Sequence, residues 1–188
     1  ENVPDANSQS AAEHAIALMY ALSRNISAAD ASLKSGKWEK TQYVGTELQG
    51  KTLGIIGLGR IGQIVARLAR GIGMEVVFYD PYIPKERAKA MGYTSLKLEK
   101  LLKTSDYVTL HAVLTPETNG MFGAKELTLM KPSARLINVA RGELVDEDAL
   151  YNAIKSGKLA GAGIDVFEEE PYEGKLLQLG DRVVVTPH

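Results

Sequence analysis

Short, wholly apolar runs alternate with amphipathic stretches along most of the chain, and that alternation predicts the elements. "TLGIIG" (52–57) reads as a strand, followed by a helix whose Ile61, Ile64, Val65 and Leu68 recur at i, i+3, i+4 and i+7. "EVVFYD" (75–80) is a second strand. A helix over about 85–91 then leads to a brief strand near "YTSL" and to a helix at "LEKLLKT". "DYVTLH" is a strand, "AKELTLM" a helix stopped by Pro132, and "ARLINVA" a strand. "DEDALYNAIKSG" is a helix with Asp146 as its cap and Gly157 as its stop. "LAGAGIDVF" and "RVVVTP" complete a set of seven strands. The longer strands lack the period-2 alternation of a half-solvated sheet. Fully apolar strands joined by helices imply an α/β fold, a doubly wound parallel sheet of Rossmann type with helices on both faces. No internal repeat or low-complexity tract interrupts the pattern, so one domain over 1–188 is expected.

Two segments precede the first strand. "SQSAAEHAIALMYALSRN" predicts a helix with Ser10 and Glu13 as a capping box. Its apolar residues fall in two stripes, Ala12–Ile16–Met19 and Ala11–Ala15–Leu18–Leu22, so it needs covering on more than one side. Burial within a larger domain and a subunit interface both meet that need. His14 is read as a packed or surface residue and not as a ligand. A short polar helix over about 27–35 and a "GKW" loop carrying Trp38 come next.

Composition narrows the function by exclusion. The 188 residues are 45% hydrophobic and 24% charged, as in an ordinary globular protein, with a net charge of −1. That balance argues against nucleic acid or an anionic membrane as the main partner. There are no cysteines, which excludes disulfides, thiol chemistry and sulfur-ligated metal, and no metal site is expected. No apolar run approaches the ~18 residues of a membrane span, and a cytoplasmic location fits. The chain starts without methionine and stops on His188, which suggests a piece cut from something longer.

The chemistry is concentrated where strands feed loops. Gly57-Leu58-Gly59-Arg60-Ile61-Gly62 lies directly between a strand and an amphipathic helix, as a dinucleotide-binding fingerprint requires. Gly57 allows the tight turn, Gly59 lets a pyrophosphate approach the backbone, and Gly62 lets the helix pack against the strand. The helix start then offers its amides to phosphate charge. Asp80 ends the second strand, roughly 20 residues further on, where a carboxylate can accept both ribose hydroxyls and repel a 2′-phosphate. NAD is therefore expected over NADP, with "YDPY" offering apolar surface to an adenine. A turn aspartate before Pro81 is the plainer alternative. His111, Arg141, Asp165, Glu170 and His188 also fall at carboxyl ends of strands. An arginine clamps a carboxylate, and a histidine beside a carboxylate trades protons near neutral pH. Judged singly, Arg141 reads equally as a surface cation and the "EEE" run as a solvated loop. His111 is read as structural or as a backbone contact to a cofactor.

In order, and across almost the whole chain, "ANSQSAAEHAIAL", "GTELQGKTLGIIGLGRIG", "YDPY", "LHAVLTPETNG", "INVARGELVDEDAL", "GAGIDVFEEEP" and "VVVTPH" resemble the D-isomer-specific 2-hydroxyacid dehydrogenases. The resemblance implies Arg141 as catalytic arginine, Glu170 as its carboxylate partner and His188 as acid/base histidine. It places Arg60 and Ile61 on the pyrophosphate of NAD, Asp80 on the adenosine ribose, and Ala112 and Thr118 along the cofactor. Val139, Ala140, Arg141 and Asp165 would surround its nicotinamide half. The implied substrate is a small 2-hydroxy or 2-oxo acid, with 3-phosphoglycerate suggested by the nearest branch of the family. A homodimer through the first helix is expected as well. Val113 departs from the family, which usually has proline two positions after the histidine of this loop. The family's substrate-binding domain, built from segments before and after this stretch, is expected to be absent, with NAD binding kept and turnover small. An NAD(H)-sensing, corepressor-like binding protein is the alternative from another functional class.

Overall fold

In a computed structural model describing residues 6–188, the helices are α1 (Ala6–Ser23), α2 (Ile26–Lys34), α3 (Arg60–Gly71), α4 (Lys85–Ala90), α5 (Leu98–Thr104), α6 (Ala124–Leu129) and α7 (Glu147–Lys155). The strands are β1 (Thr52–Ile56), β2 (Glu75–Tyr79), β3 (Thr94–Ser95), β4 (Tyr107–Leu110), β5 (Arg135–Asn138), β6 (Gly161–Ile164) and β7 (Val183–Val185). The first five residues, where the sequence reading starts the domain, lie outside the described ones. All pairings are parallel, in one seven-stranded sheet of order β3-β2-β1-β4-β5-β6-β7. The chain starts in the middle at β1, steps outward to β2 and β3, then returns to the other side of β1. The order reverses between β1 and β4, the point at whose carboxyl ends an open parallel sheet generally takes its ligand.

Each long strand sends side chains into two separate cores. Leu53 and Ile55 of β1, Phe78 of β2, Tyr107 of β4 and Ile137 of β5 pack with α1 and α3 on one face. Ile56, Val108, Leu110, Leu136 and Ile164 pack with α5, α6 and α7 on the other. With both faces covered, both sets of alternate positions are mostly apolar, the buried Thr109 of β4 being an exception, which is why the strands read as apolar runs. The first helix is covered within the chain: Ala12, Ala15, Leu18, Met19 and Leu22 are all buried against α3 and the sheet. The Ser23 and Tyr107 hydroxyls meet at 2.5 Å, tying the end of α1 to β4 and satisfying a buried tyrosine.

Two expectations need correction. Helix α1 begins at Ala6, so Ser10 lies inside it and caps nothing. Glu13 instead accepts from the Gln9 amide one turn earlier, at 2.6 Å. The strand expected through "LAGAGIDVF" is only Gly161–Ile164; Val166 and Phe167 are buried in the loop beyond it, and an apolar run cannot distinguish the two. The double stripe of α1 is met by burial in the chain's own core. Helix α7 matches its expectation, with Asp146 Oδ1 accepting from the Ala149 amide at 2.9 Å and Gly157 at φ 77° just past its end.

At the reversal, β1 and β4 leave the sheet almost in contact. Gly57 has φ 89°, and a Cβ there would lie 2.7 Å from the His111 carbonyl oxygen and 2.8 Å from the Ala112 nitrogen. No other residue fits this position. The His111 ring lies 2.9 Å from the Thr109 hydroxyl, and burial pushes its pKa down to about 4. It is therefore neutral at physiological pH.

This packing has two measurable consequences. Met19→Ala is expected to cost about 2–5 kcal/mol in chemical denaturation, the range for emptying a filled core site. For His111, the folded-state pKa is depressed, so protons bind the unfolded chain preferentially and stability falls as pH drops from about 6.5 towards 4. Between pH 7 and pH 5 this group accounts for about 2 kcal/mol. His111→Gln, which can still meet the Thr109 hydroxyl, is expected to show a correspondingly smaller loss over that interval in parallel denaturation curves.

Candidate functional site

The glycine loop has the geometry of an anion cradle. A Cβ at Gly62 would overlap the carbonyl oxygen of Gly57, so only glycine lets α3 start this close to β1. A Cβ at Gly59 would meet nothing within 4 Å, so the backbone is open on that side. The Gln63 amide donates to the Gly59 carbonyl at 3.0 Å, the first bond of the helix, and Gly59 contributes no side-chain cap. The amides of Ile61 and Gly62, in the first turn of α3, therefore have no carbonyl of an earlier helical turn to meet. Backbone that can be approached closely, at the positive end of a 12-residue helix, fits a diphosphate.

Asp80 does more than the sequence suggests. Its Oδ2 accepts from the Leu58 amide and its Oδ1 from the Tyr82 amide, both at 2.9 Å. The carboxylate thus fixes the glycine loop against the end of β2, and each oxygen keeps acceptor capacity for a ligand hydroxyl. Tyr82 beside it is 82% exposed, leaving an uncovered aromatic face next to the carboxylate. On the β4 side of the reversal, Ala112 is half-buried. The Thr118 hydroxyl donates to the Val113 carbonyl at 2.7 Å and accepts from the Thr115 amide at 2.8 Å. Thr118 is thus the internal brace of this loop, which holds its shape although Val113 stands where the family usually has proline.

The turn after β5 is built on Asn138, a residue the sequence reading passed over. Its side chain is buried, accepts from the Ala140 amide at 3.1 Å and donates to the Arg141 carbonyl at 2.9 Å. A buried amide satisfied in this way sets the path of Val139, Ala140 and Arg141. The signal was present in the sequence, as one polar residue in the apolar run "LINVA". The Arg141 guanidinium folds back onto the Ala140 carbonyl at 2.7 Å.

Glu170 and His188 meet. His188 Nδ1 is 2.8 Å from Glu170 Oε2, and the other carboxylate oxygen accepts from the Phe167 amide at 3.1 Å. The His188 hydrogen bond, then the Phe167 amide, hold the Glu170 carboxyl below the usual range, so it is ionised. With Nδ1 directed at Glu170, Nε2 is the nitrogen left for a ligand. The His188 amide donates to the carbonyls of Asp165 and Thr186, both at 3.0 Å. Arg141 comes after β5 and His188 after β7, two strand spacings apart, roughly 10 Å. Their loops still touch: a Cβ at Gly142 would overlap the backbone of Phe167 and Glu168, so the Arg141 turn lies directly on the segment leading to Glu170. Beside this pair is a cleft of ≈ 680 Å³ lined by Phe167, Tyr172, Leu177, Val185, Pro187 and His188.

His14, set aside as a packed or surface residue, lies at the edge of this group, 2.9 Å from the Thr186 hydroxyl and 3.2 Å from Asp165 Oδ1. Among the described residues no cluster of three or more His, Cys, Asp or Glu could hold a metal, and no helix is long and apolar enough to cross a membrane.

Comparison with known proteins agrees with this geometry. Residues 16–188 match the family model for the D-isomer specific 2-hydroxyacid dehydrogenase, NAD binding domain. The chain is 50% identical over 188 residues to a D-3-phosphoglycerate dehydrogenase of Methanocaldococcus jannaschii, covering 100% of this chain and 36% of that protein. It is 46% identical over 187 residues to the Bacillus subtilis D-3-phosphoglycerate dehydrogenase, again covering 100% of this chain and 36% of the relative. The chain therefore spans about a third of the length of these relatives. Among solved structures, a D-lactate dehydrogenase from Aquifex aeolicus complexed with NAD and lactic acid superposes with TM-score 0.88 at 35% identity, over 99% of this chain and 61% of that one. A glyoxylate reductase from Paecilomyes thermophila gives TM-score 0.90 at 37% identity, over 98% and 56% respectively. These relatives are enzymes by name, and the corepressor alternative draws no support from them. On its fold, its glycine loop and these matches, the chain belongs to the D-isomer-specific 2-hydroxyacid dehydrogenase family, in its NAD-binding domain.

Proposed function

We propose that residues 1–188 form the NAD-binding domain of an oxidoreductase acting on a D-2-hydroxy acid, with 3-phosphoglycerate as its substrate. The observation that carries the reading is the Glu170–His188 pair at 2.8 Å, at the same carboxyl edge of the sheet as the glycine loop and Arg141. The two D-3-phosphoglycerate dehydrogenases matched along the whole chain support the choice of substrate.

In this reading the open backbone at Gly59, with the amides of Arg60 and Ile61, receives the pyrophosphate, and Asp80 receives the adenosine ribose. Ala112 and Thr118 flank the cofactor, and Val139, Ala140 and Asp165 surround its nicotinamide half. The nicotinamide, when bound, supplies the hydride chemistry. Arg141 leaves the Ala140 carbonyl to grip the substrate carboxylate bidentately and to polarise the oxygen at C2. His188 Nε2 takes the hydroxyl proton during oxidation and returns it during reduction. Ionised Glu170, held on its second oxygen by the Phe167 amide, keeps Nδ1 protonated and steadies the imidazolium that forms. Substrate contacts and water exclusion from a second domain are not supplied by these residues, so this chain by itself binds NAD and turns over little.

Calorimetric titration of the chain with NADH and NADPH tests the reading. Saturable NADH binding with weaker NADPH binding is expected. Asp80→Ala is expected to weaken NADH by roughly 10- to 100-fold, the range for losing hydrogen bonds to a charged group. Because Asp80 also braces the glycine loop, the deciding quantity is the NADPH-to-NADH affinity ratio. It should rise in the variant, since a carboxylate that repels a 2′-phosphate is gone. A folded wild-type chain that binds neither nucleotide would sink the proposal.

We infer a homodimer as well, with the contact displaced from α1 to α2 and the loop beyond it. Helix α2 buries none of its residues, and Ile26, Leu33, Trp38 and Val44 form exposed apolar surface along it and its loop, Trp38 being 80% exposed. Light scattering is expected to give twice the 20.3 kDa chain mass, falling to one chain in Leu33→Ser/Trp38→Ser. A monomeric wild type would end the idea.

A further inference from the structure

We propose that His14 is a positioning residue for Asp165, and that through Asp165 it governs how the nicotinamide half of a bound dinucleotide is held. The inference rests on the function proposed above. Its starting point is a three-residue contact that joins the first helix to the ends of β6 and β7. The Thr186 hydroxyl donates to Asp165 Oδ1 at 2.6 Å, and His14 Nε2 lies 2.9 Å from that hydroxyl oxygen and 3.2 Å from the same carboxylate oxygen.

Donor counting fixes the roles. A threonine hydroxyl has one hydrogen, and here it is directed at the carboxylate. Its oxygen can therefore only accept from His14, which puts a proton on Nε2. That N–H is directed at the Thr186 oxygen, with Asp165 Oδ1 3.2 Å from the same nitrogen, so His14 fixes the hydroxyl that in turn fixes Oδ1. Asp165 Oδ2 has no partner among the described residues, although the side chain is only 17% exposed. A mostly buried carboxylate with one oxygen fixed and the other open is an acceptor set for a ligand N–H or O–H. The carboxamide of a nicotinamide supplies such an N–H.

Asp165 is also the hub of the local backbone. Its amide donates to the Asn138 carbonyl and its carbonyl accepts from the His188 amide, both at 3.0 Å. The same residue thus faces the cofactor with its side chain and holds the acid/base histidine with its main chain. His14 steers the side chain alone, leaving these two backbone bonds in place.

The test uses two ligands that differ in the nicotinamide. ADP-ribose keeps the adenosine, the diphosphate and the second ribose of NADH and lacks only the nicotinamide that Asp165 would hold. Calorimetry of this chain is run with both ligands for wild type, His14→Leu, His14→Gln and Thr186→Val. Expected are a roughly five- to tenfold weaker NADH affinity in His14→Leu, as for a lost hydrogen bond, and unchanged ADP-ribose affinity. His14→Gln, whose amide donor reaches the same place, should recover most of the loss. Thr186→Val should reproduce the selective loss by a second route. A merely structural role for His14 would lower both affinities together or neither, and either result overturns the inference. Wild type that binds ADP-ribose and NADH equally well would also overturn it, because Asp165 would then contribute nothing. Wild type that binds neither removes the functional reading and this inference with it.

Discussion

A parallel sheet covered on both faces keeps its strands almost wholly apolar until they end, and the candidate site follows from that constraint. Leu53, Ile55 and Ile56 belong to two different cores, so β1 can carry nothing reactive until the chain leaves the sheet at Gly57. The same holds for β4 before His111, β5 before Arg141 and β7 before His188. Because all seven strands run the same way, their carboxyl ends share one edge, and groups far apart in sequence gather there. The reversal of strand order between β1 and β4 falls on that same edge, at the point where an open parallel sheet generally receives its ligand.

The same constraint explains what could be read from the sequence. Unbroken apolar runs betrayed buried strands, and glycine at 57, 59 and 62 betrayed a loop short of space on one side and open on the other. Asp146 and Gly157 framed α7 because a cap and a left-handed stop act locally. What escaped the reading depends on contacts distant in sequence. His14 meets Thr186 across 172 positions, and nothing in the periodicity of α1 separates that histidine from a surface one. Ser10 looked like a cap because its spacing to Glu13 suits one, yet the helix begins a turn earlier. Asn138 was hidden inside an apolar strand motif, and only its burial and two backbone bonds show that it shapes the turn carrying Arg141. The strand overshoot at β6 has a similar cause, since buried loop and buried strand use the same residues.

Electrostatics divides the histidines by surroundings. His111, desolvated beside Thr109, stays neutral and serves as a spacer where β1 and β4 diverge. His188, half-exposed, sets Nδ1 against an ionised carboxylate and leaves Nε2 for a ligand. The two sit at the ends of strands three places apart in the sheet, on the same edge, and only their neighbours give them different chemistry.

The contact at Gly142 sets a rule for how such a site can change. There is no room for even a methyl group between this turn and the backbone of Phe167 and Glu168. The arginine loop and the carboxylate loop are thus welded into one rigid jaw, whose gauge is set by main chain and not by side-chain choice. Drift in either loop would be felt by both partners at once, so neither can be retuned alone. Variation in the shape of this place therefore has to come from the side chains around the jaw, since the main chain between Gly142 and Phe167 has no slack.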